Sequence, residues 1–229
     1  MMKREMSDAE LLEICSSGGF QDIEIEEEDH SIILLDVPIQ HQSKEYVRLT
    51  LSEPTLYDVL GAAQVIGKRP SLQSVYDSQI VLVAKAAGVP QVVIQKLPSR
   101  VLDRAVEYVT AFERGARREM NDPEMMDALD LRPEKIMIFR EAIQGGGKEF
   151  SEMKLREPSV AERRRFKAGE GSGTIEAALR AEMSLVEEIS EWHRAALLRL
   201  PISKFAEAAD YVTGFFIPGP QTGTAFLEN

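Results

Sequence analysis

The sequence predicts an α+β fold of two tandem repeats, each a β-hairpin followed by about three α-helices, with a short acidic arm at the N-terminus. Two repeated blocks carry that reading. KEYVRLTLSEPT, Lys44 to Thr55, returns 104 positions later as KEFSEMKLREPS, Lys148 to Ser159, with Lys, Glu, Leu, Glu and Pro identical. LPSRVLDRAVEYVTAF, Leu97 to Phe112, returns at an offset of 103 as LPISKFAEAADYVTGF, Leu200 to Phe215. Blocks that recur in the same order at nearly the same spacing mark one unit written twice. The expected boundaries are an arm over 1–30, repeat one over 31–115, a charged connector over 116–134, repeat two over 135–216 and a tail over 217–229. A unit this small buries a modest share of its unfolded surface, so each copy is expected to lean on its twin or on a partner.

Taken in order, the arm opens with Ser7-Asp8-Ala9-Glu10, a capping box, and Leu11, Leu12 and Ile14 continue it as a short helix that Gly18 and Gly19 end. Ile23 and Ile25 alternate with glutamates, as in an edge strand or an unpaired extended segment. Repeat one begins with the apolar run Ser31 to Ile39, a polar turn over Gln40 to Ser43, and the alternating segment Tyr46 to Leu51, which together read as a β-hairpin. In repeat two the hairpin is Lys135 to Ile143, the turn Gln144-Gly145-Gly146-Gly147, and Phe150 to Leu155. Pro54 and Pro158 cannot donate to a ladder and are expected to stop the second strand.

Thr55 with Asp58, and Ser159 with Glu162, make capping boxes at the same place in both copies. A first helix then runs to about Ile66, Gly67 to Pro70 break it, and Leu72, Val75, Tyr76, Ile80, Val83, Ala84 and Ala87 predict a second helix with one buried face. Ile175, Ala178, Leu179, Met183, Val186 and Ile189 are its counterpart, after the loop Gly169 to Gly173. A third helix follows Pro98 and Pro201. Asp122-Pro123-Glu124 suggests a turn of helix in the connector, and the tail, with two prolines and two glycines, is expected to be flexible.

The net charge of −11 is concentrated outside the repeats: residues 1–30 carry −8, the connector −3 and the tail −1, while the repeats sum to +1 and 0. An acidic arm on neutral modules repels phosphates, which argues against nucleic acid and against an anionic membrane as partners. No apolar run approaches a membrane span, and MMKREMSDAE lacks the apolar stretch of a secretory signal. Cys15 stands alone, so an internal disulfide is excluded and a reducing cytoplasm is consistent.

No catalytic, cofactor or metal site is expected. Gly145-Gly146-Gly147-Lys148 lacks the order of a phosphate-binding loop and leads into a strand, so it reads as a hairpin turn. His30, His41 and His193 have no ligand spacing among themselves or with Cys15. The residues singled out are apolar ones for a partner surface: Leu56, Tyr57 and Leu60 on the first helix, and Tyr108, Phe112, Tyr211, Phe215 and Phe216 on the third. Core packing is the competing reading for the tyrosines. The first helix of repeat one has more apolar residues (Leu56, Tyr57, Val59, Leu60, Val65, Ile66) than one buried stripe needs, whereas Arg163, Arg164, Arg165 and Lys167 make its counterpart polar.

The pattern "strand, Pro-Ile, polar turn, strand, Leu-x-Glu-Pro-Thr/Ser", then helices, then Leu-Pro opening an apolar helix that ends in aromatics, resembles the Mu-like family of phage tail assembly chaperones. Here the positions are Pro38, Ile39, Leu51, Glu53, Pro54, Thr55, Leu97, Pro98 and Phe112, then Ile143, Leu155, Glu157, Pro158, Ser159, Leu200, Pro201 and Phe215. The second copy departs at Ala142, where the first has Pro38, and in its charged first helix. The resemblance implies a small non-enzymatic protein of the bacterial host cytoplasm, without cofactors, that binds the helical tape measure protein, keeps it soluble until tube subunits polymerise, and is absent from the virion. It leaves self-association open. The alternative is a structural tail or baseplate adaptor that uses the hairpins for strand addition and stays in the particle.

Overall fold

The computed structural model describes residues 30–118 and 129–217; the Ser7 capping box, the Ile23 and Ile25 segment, the Asp122 turn and the tail beyond Ile217 lie outside them. Repeat one opens with β1 (Ile32–His41) antiparallel to β2 (Lys44–Thr50), and repeat two with β3 (Glu134–Gly145) antiparallel to β4 (Lys148–Arg156). The turns are tighter than expected. Gln40 and His41 pair with Glu45 and Lys44, so only Gln42 and Ser43 turn the first hairpin, with Gln42 at φ 52°. Gly146 and Gly147 turn the second at φ 60° and 75°, the left-handed conformation a two-residue hairpin loop demands and glycine supplies.

Both hairpins carry the same irregularity. In the first, Leu34 pairs with Arg48 and Ile39 with Tyr46, so Leu35 to Pro38 bulge opposite Val47 alone; in the second, Phe139 to Ala142 bulge opposite Ser151. Pro38 sits where no ladder bond is needed, which is why Ala142 can replace it without changing the fold. Alternation then sends Ile33, Ile39 and Leu49 inward in one copy and Met137, Met153 and Leu155 inward in the other. Each second strand ends before its proline, at Thr50 and Arg156.

Four helices follow each hairpin: α1 (Leu56–Ile66), α2 (Leu72–Ala86), α3 (Gln91–Ile94) and α4 (Ser99–Ala116), then α5 (Val160–Gly169), α6 (Ile175–Ser190), α7 (Arg194–Leu197) and α8 (Ile202–Gly214), with a 3₁₀ turn over Glu170–Ser172. The extra member of each set, α3 or α7, is a single turn that closes over its own hairpin. Lys96 Nζ donates to Gln40 O at 2.8 Å, and Arg199 donates to Gln144 O at 3.1 Å at the equivalent place. Both predicted capping boxes form: Thr55 and Asp58, like Ser159 and Glu162, satisfy each other's backbone amides. In the second, Glu162 also takes a two-pronged bond from Arg156 at 2.8 and 3.0 Å, and that guanidinium holds its carboxyl down to about 2.

One predicted face is corrected. Of the positions predicted to face inward along α2, only the later ones Ile80, Val83 and Ala84 are buried; Leu72 is 93% exposed, and Val75 and Tyr76 are exposed with it. Helical spacing shows that one stripe is apolar, not how far along the helix a neighbour covers it. Ile175 at the start of α6 is exposed for the same reason, while Leu179, Met183, Val186 and Ile189 are buried.

Two apolar clusters form, and they do not divide at the repeat boundary. One holds Ile33, Leu49, Leu51, Ile80, Val83, Ile94, Leu102, Ala105 and Val109, all from repeat one. The other is the core of repeat two, yet it includes Leu56, Leu60 and Ala63 of α1. The first helix of repeat one therefore completes the core of its twin, and the described residues of both repeats belong to one compact unit.

Candidate partner surface and the joint between the repeats

The joint is built from the two repeated motifs. On the side of repeat one, Glu53-Pro54 lifts the chain off β2 and Thr55 starts α1; on the side of repeat two, Leu200-Pro201 ends the loop after α7 and starts α8. The two segments run antiparallel and bond as a short strand pair. The Leu56 amide donates to Leu200 O at 2.9 Å, the Tyr57 amide to Leu198 O at 3.0 Å, and the Ile202 amide to Pro54 O at 2.8 Å. A fourth bond runs from the Ser203 amide to Glu53 Oε1 at 2.7 Å. The first amides of a helix have no partner inside it, so each repeat here satisfies the orphan donors of the other.

Side chains close the joint above and below these bonds. Leu56 is fully buried and Leu60 is 4% exposed, against a cluster that contains Leu200, Ile202 and Phe205. Gln64 donates to Glu176 at 3.2 Å. The end of α4 is tied down by charge: Arg117 takes Glu182 at 2.7 and 3.0 Å and Glu113 at 2.9 Å, and Arg118 bonds both the side chain and the carbonyl of Asp210. Burial opposes the charge on Arg117, but the Glu182 and Glu113 carboxylates outweigh it and raise its pKa further. On the other side of the connector, Tyr211 donates its hydroxyl to Arg132 O at 2.6 Å, and burial followed by the Asp130 charge pushes that phenol up.

The eight apolar residues singled out from the sequence separate into three sets. Leu56 and Leu60 lie inside the joint, which accounts for the surplus of apolar residues on α1. Tyr108 packs partly buried on the first cluster, edge to face with Phe112, which itself packs on the second. Tyr211 is buried, Phe215 meets it edge to face, and Phe216 is half-buried between the Phe166 ring and the Arg163 guanidinium. Tyr57 alone of the eight is well exposed, at 61%, with Lys85 Nζ 4.3 Å over its ring.

On the helix pair α1 and α2 of repeat one, Tyr57, Val65, Leu72, Val75 and Tyr76 are all exposed; Leu34, Val37 and Val47 of its hairpin and Val92 of α3 are exposed as well. Periodicity assigned the α2 members of this set to the core. Among the described residues no group of three or more His, Cys, Asp or Glu is placed to hold a metal ion, and no helix is long and apolar enough to cross a membrane.

Comparison with known families returns one match in two places. The model for phage tail assembly chaperone proteins, described as E, or 41 or 14, matches residues 32–114 and again 135–217. No curated protein and no solved structure matches the chain. Each matched segment starts in the first strand of a hairpin and ends in the last turn of the third long helix or just after it, so the family's unit coincides with each repeat. The chain therefore belongs to the phage tail assembly chaperone family and carries two tandem copies of its unit.

Proposed function

We propose that this protein binds amphipathic helical segments of the tape measure protein in the host cytoplasm and keeps that protein soluble while the tail is assembled. Family membership across both repeats supports the role, and the exposed apolar residues Tyr57, Val65, Leu72, Val75 and Tyr76 on α1 and α2 support repeat one as the contact surface. A long protein whose apolar helical faces are uncovered before tube assembly needs a partner with exposed apolar helices, the chemistry of helix-in-groove recognition. Repeat two offers less. Its α5 presents Arg163, Arg164 and Lys167, of which Arg163 bonds Phe216 O and Lys167 bonds Glu170.

Co-expression with the tape measure protein tests the reading by pull-down from soluble lysate. The tape measure protein is expected to stay soluble and to be captured with this chain, and Tyr57→Glu combined with Tyr76→Glu to lose most of the capture while the far-ultraviolet circular dichroism is unchanged. Capture unaffected by that double change would refute the assignment to repeat one. Presence of this chain at fixed copy number in purified particles would refute the chaperone reading and favour the structural adaptor.

A further inference from the structure

The joint between the repeats has two unlike sides, and each repeat carries both. Repeat one contributes Glu53-Pro54-Thr55-Leu56 and repeat two contributes Leu198 to Ser203. The duplicates of these two segments are left without a partner. On repeat two, Glu157-Pro158-Ser159-Val160 repeats the first segment, and Val160 is 87% exposed where Leu56 is fully buried. On repeat one, Gln95 to Arg100 repeats the second segment, with Leu97-Pro98 retained and Pro98, Ser99 and Arg100 exposed.

The groups that bond in the joint are present and unused at these sites. Among the described residues nothing accepts from the amides of Val160, Ala161, Ser99 or Arg100, and nothing donates to the carbonyls of Gln95, Leu97 and Pro158 or to the Glu157 carboxylate. These correspond group for group to the four bonds of the joint, three of which are backbone bonds that a change of side chain does not abolish. Glu157 keeps the carboxylate of the fourth, and its side chain has no other bond among the described residues.

Side chains that do differ between the copies are apolar in the joint and charged at the free edges. Leu60 and Ala63, buried in the joint, are matched on α5 by the exposed Arg164 and Lys167. Ala206 on α8, fully buried, is matched on α4 by the exposed Asp103. Both free edges therefore carry charged side chains where the joint is apolar, so an edge contact would rest chiefly on the backbone bonds.

We propose that a second copy of this chain occupies the free edge: Glu157 to Val160 of one molecule docks on Gln95 to Arg100 of the next, rebuilding between molecules the joint that already exists within one. Such contacts are head to tail, so they generate a series of oligomers that closes into a ring or extends as a filament. Self-association is independent of tape measure binding, so it is tested on the purified full chain alone.

Two exposed positions remove the bonds without touching the core. Glu157→Ala deletes the carboxylate. Ser99→Pro deletes the amide at the first position of α4, where proline is tolerated, and the preceding Pro98 already has the extended conformation a following proline requires, at φ −56° and ψ 139°. Sedimentation velocity over about a hundredfold range of concentration is expected to show the parent growing through several oligomers, and each variant shifted to monomer. Mixing the two variants supplies one intact edge of each kind, so the expected product is a 1:1 dimer that grows no further. A parent that stays monomeric throughout would overturn the proposal, as would oligomers that persist unchanged in both single variants. Association that appears only after removal of residues 1–30 would overturn it too, by giving the edge to this chain's own N-terminal segment.

Discussion

Truncating Leu56 to alanine is the sharpest test of a core shared between the repeats, because the residue belongs to repeat one and the cavity it leaves opens in repeat two. Leu56 is fully buried among Leu200, Ile202, Phe205 and their neighbours. Three carbon groups leave the core. At about 0.8 kcal/mol each the transfer loss is about 2.4 kcal/mol, and the residual cavity places leucine-to-alanine changes at about 2–5 kcal/mol in all. A rigid surround of backbone bonds at the joint limits collapse, so about 3 kcal/mol is expected. With a urea slope of about 2 kcal/mol per molar, the midpoint falls by about 1.5 M.

The protein supplies its own reporter. Trp192 is its only tryptophan, sits in repeat two, and is buried between Phe139 and Phe150 with its indole N–H donating to Glu152 O at 3.0 Å. Urea unfolding is followed by Trp192 fluorescence and by circular dichroism in parallel. Coincident transitions, both shifted by about 1.5 M, are expected for Leu56→Ala, and no shift for Leu72→Ala, whose side chain is in solvent. If the Trp192 transition stays at the parent midpoint while the helical signal moves, the repeats unfold independently and the shared core is wrong.

Three further perturbations follow from local chemistry. Thr55→Ala and Ser159→Ala each remove one half of a capping box and are expected to lower stability by about 0.5–2 kcal/mol in urea titrations. Gly145→Ala places a Cβ 2.2 Å from the Ala196 backbone nitrogen, an overlap relieved only by moving the hairpin off α7; a loss of about 1–3 kcal/mol is expected, read as a lower thermal midpoint. Glu162 has a folded pKa depressed from 4.5 to about 2, so its stabilisation is complete above pH 4.5 and lost as the pH falls towards 2. The full shift corresponds to about 3 kcal/mol, and solvent around the half-exposed Arg156 reduces this to about 2 kcal/mol. Midpoints measured from pH 6 to pH 2.5 should therefore fall less steeply in Glu162→Gln than in the parent.

The parts of the fold that were legible in the sequence are those fixed by local chemistry. Pro54 and Pro158 set the ends of the second strands, Thr55 with Asp58 and Ser159 with Glu162 set the helix starts, and the two glycines Gly146 and Gly147 set a hairpin turn. The one-turn helices α3 and α7 escaped because four residues are too few to show a period. The destination of the apolar surplus on α1 escaped for a different reason: amphipathic spacing reports that a face needs cover, and it is silent on whether a twin or a stranger supplies it. A signal was nonetheless present in the comparison of the copies, since Leu60 and Ala63 become Arg164 and Lys167. In arrays of repeats, an apolar position in one copy that turns charged in the terminal copy marks a face internal to the array.

The same comparison explains why the order of the repeats is not interchangeable. Helix α8 is buried nearly all round, at Ile202, Phe205, Ala206, Ala208, Ala209, Tyr211 and Val212, because its own hairpin core lies on one side and α1 and α4 lie on the other. Helix α4 repeats the motif but is buried only at Leu102, Ala105 and Val109, and it puts Ser99 and Asp103 where α8 has Ile202 and Ala206. Exchanging the repeats would bring Arg164, Lys167 and Asp103 into the joint and leave Leu56 and Leu60 in solvent. Charge at those positions is costly when buried, and leucine there is costly when exposed. The two copies thus share the backbone groups of one hydrogen-bonded joint, while the side chains around those groups are apolar at the joint and largely charged at the free edges.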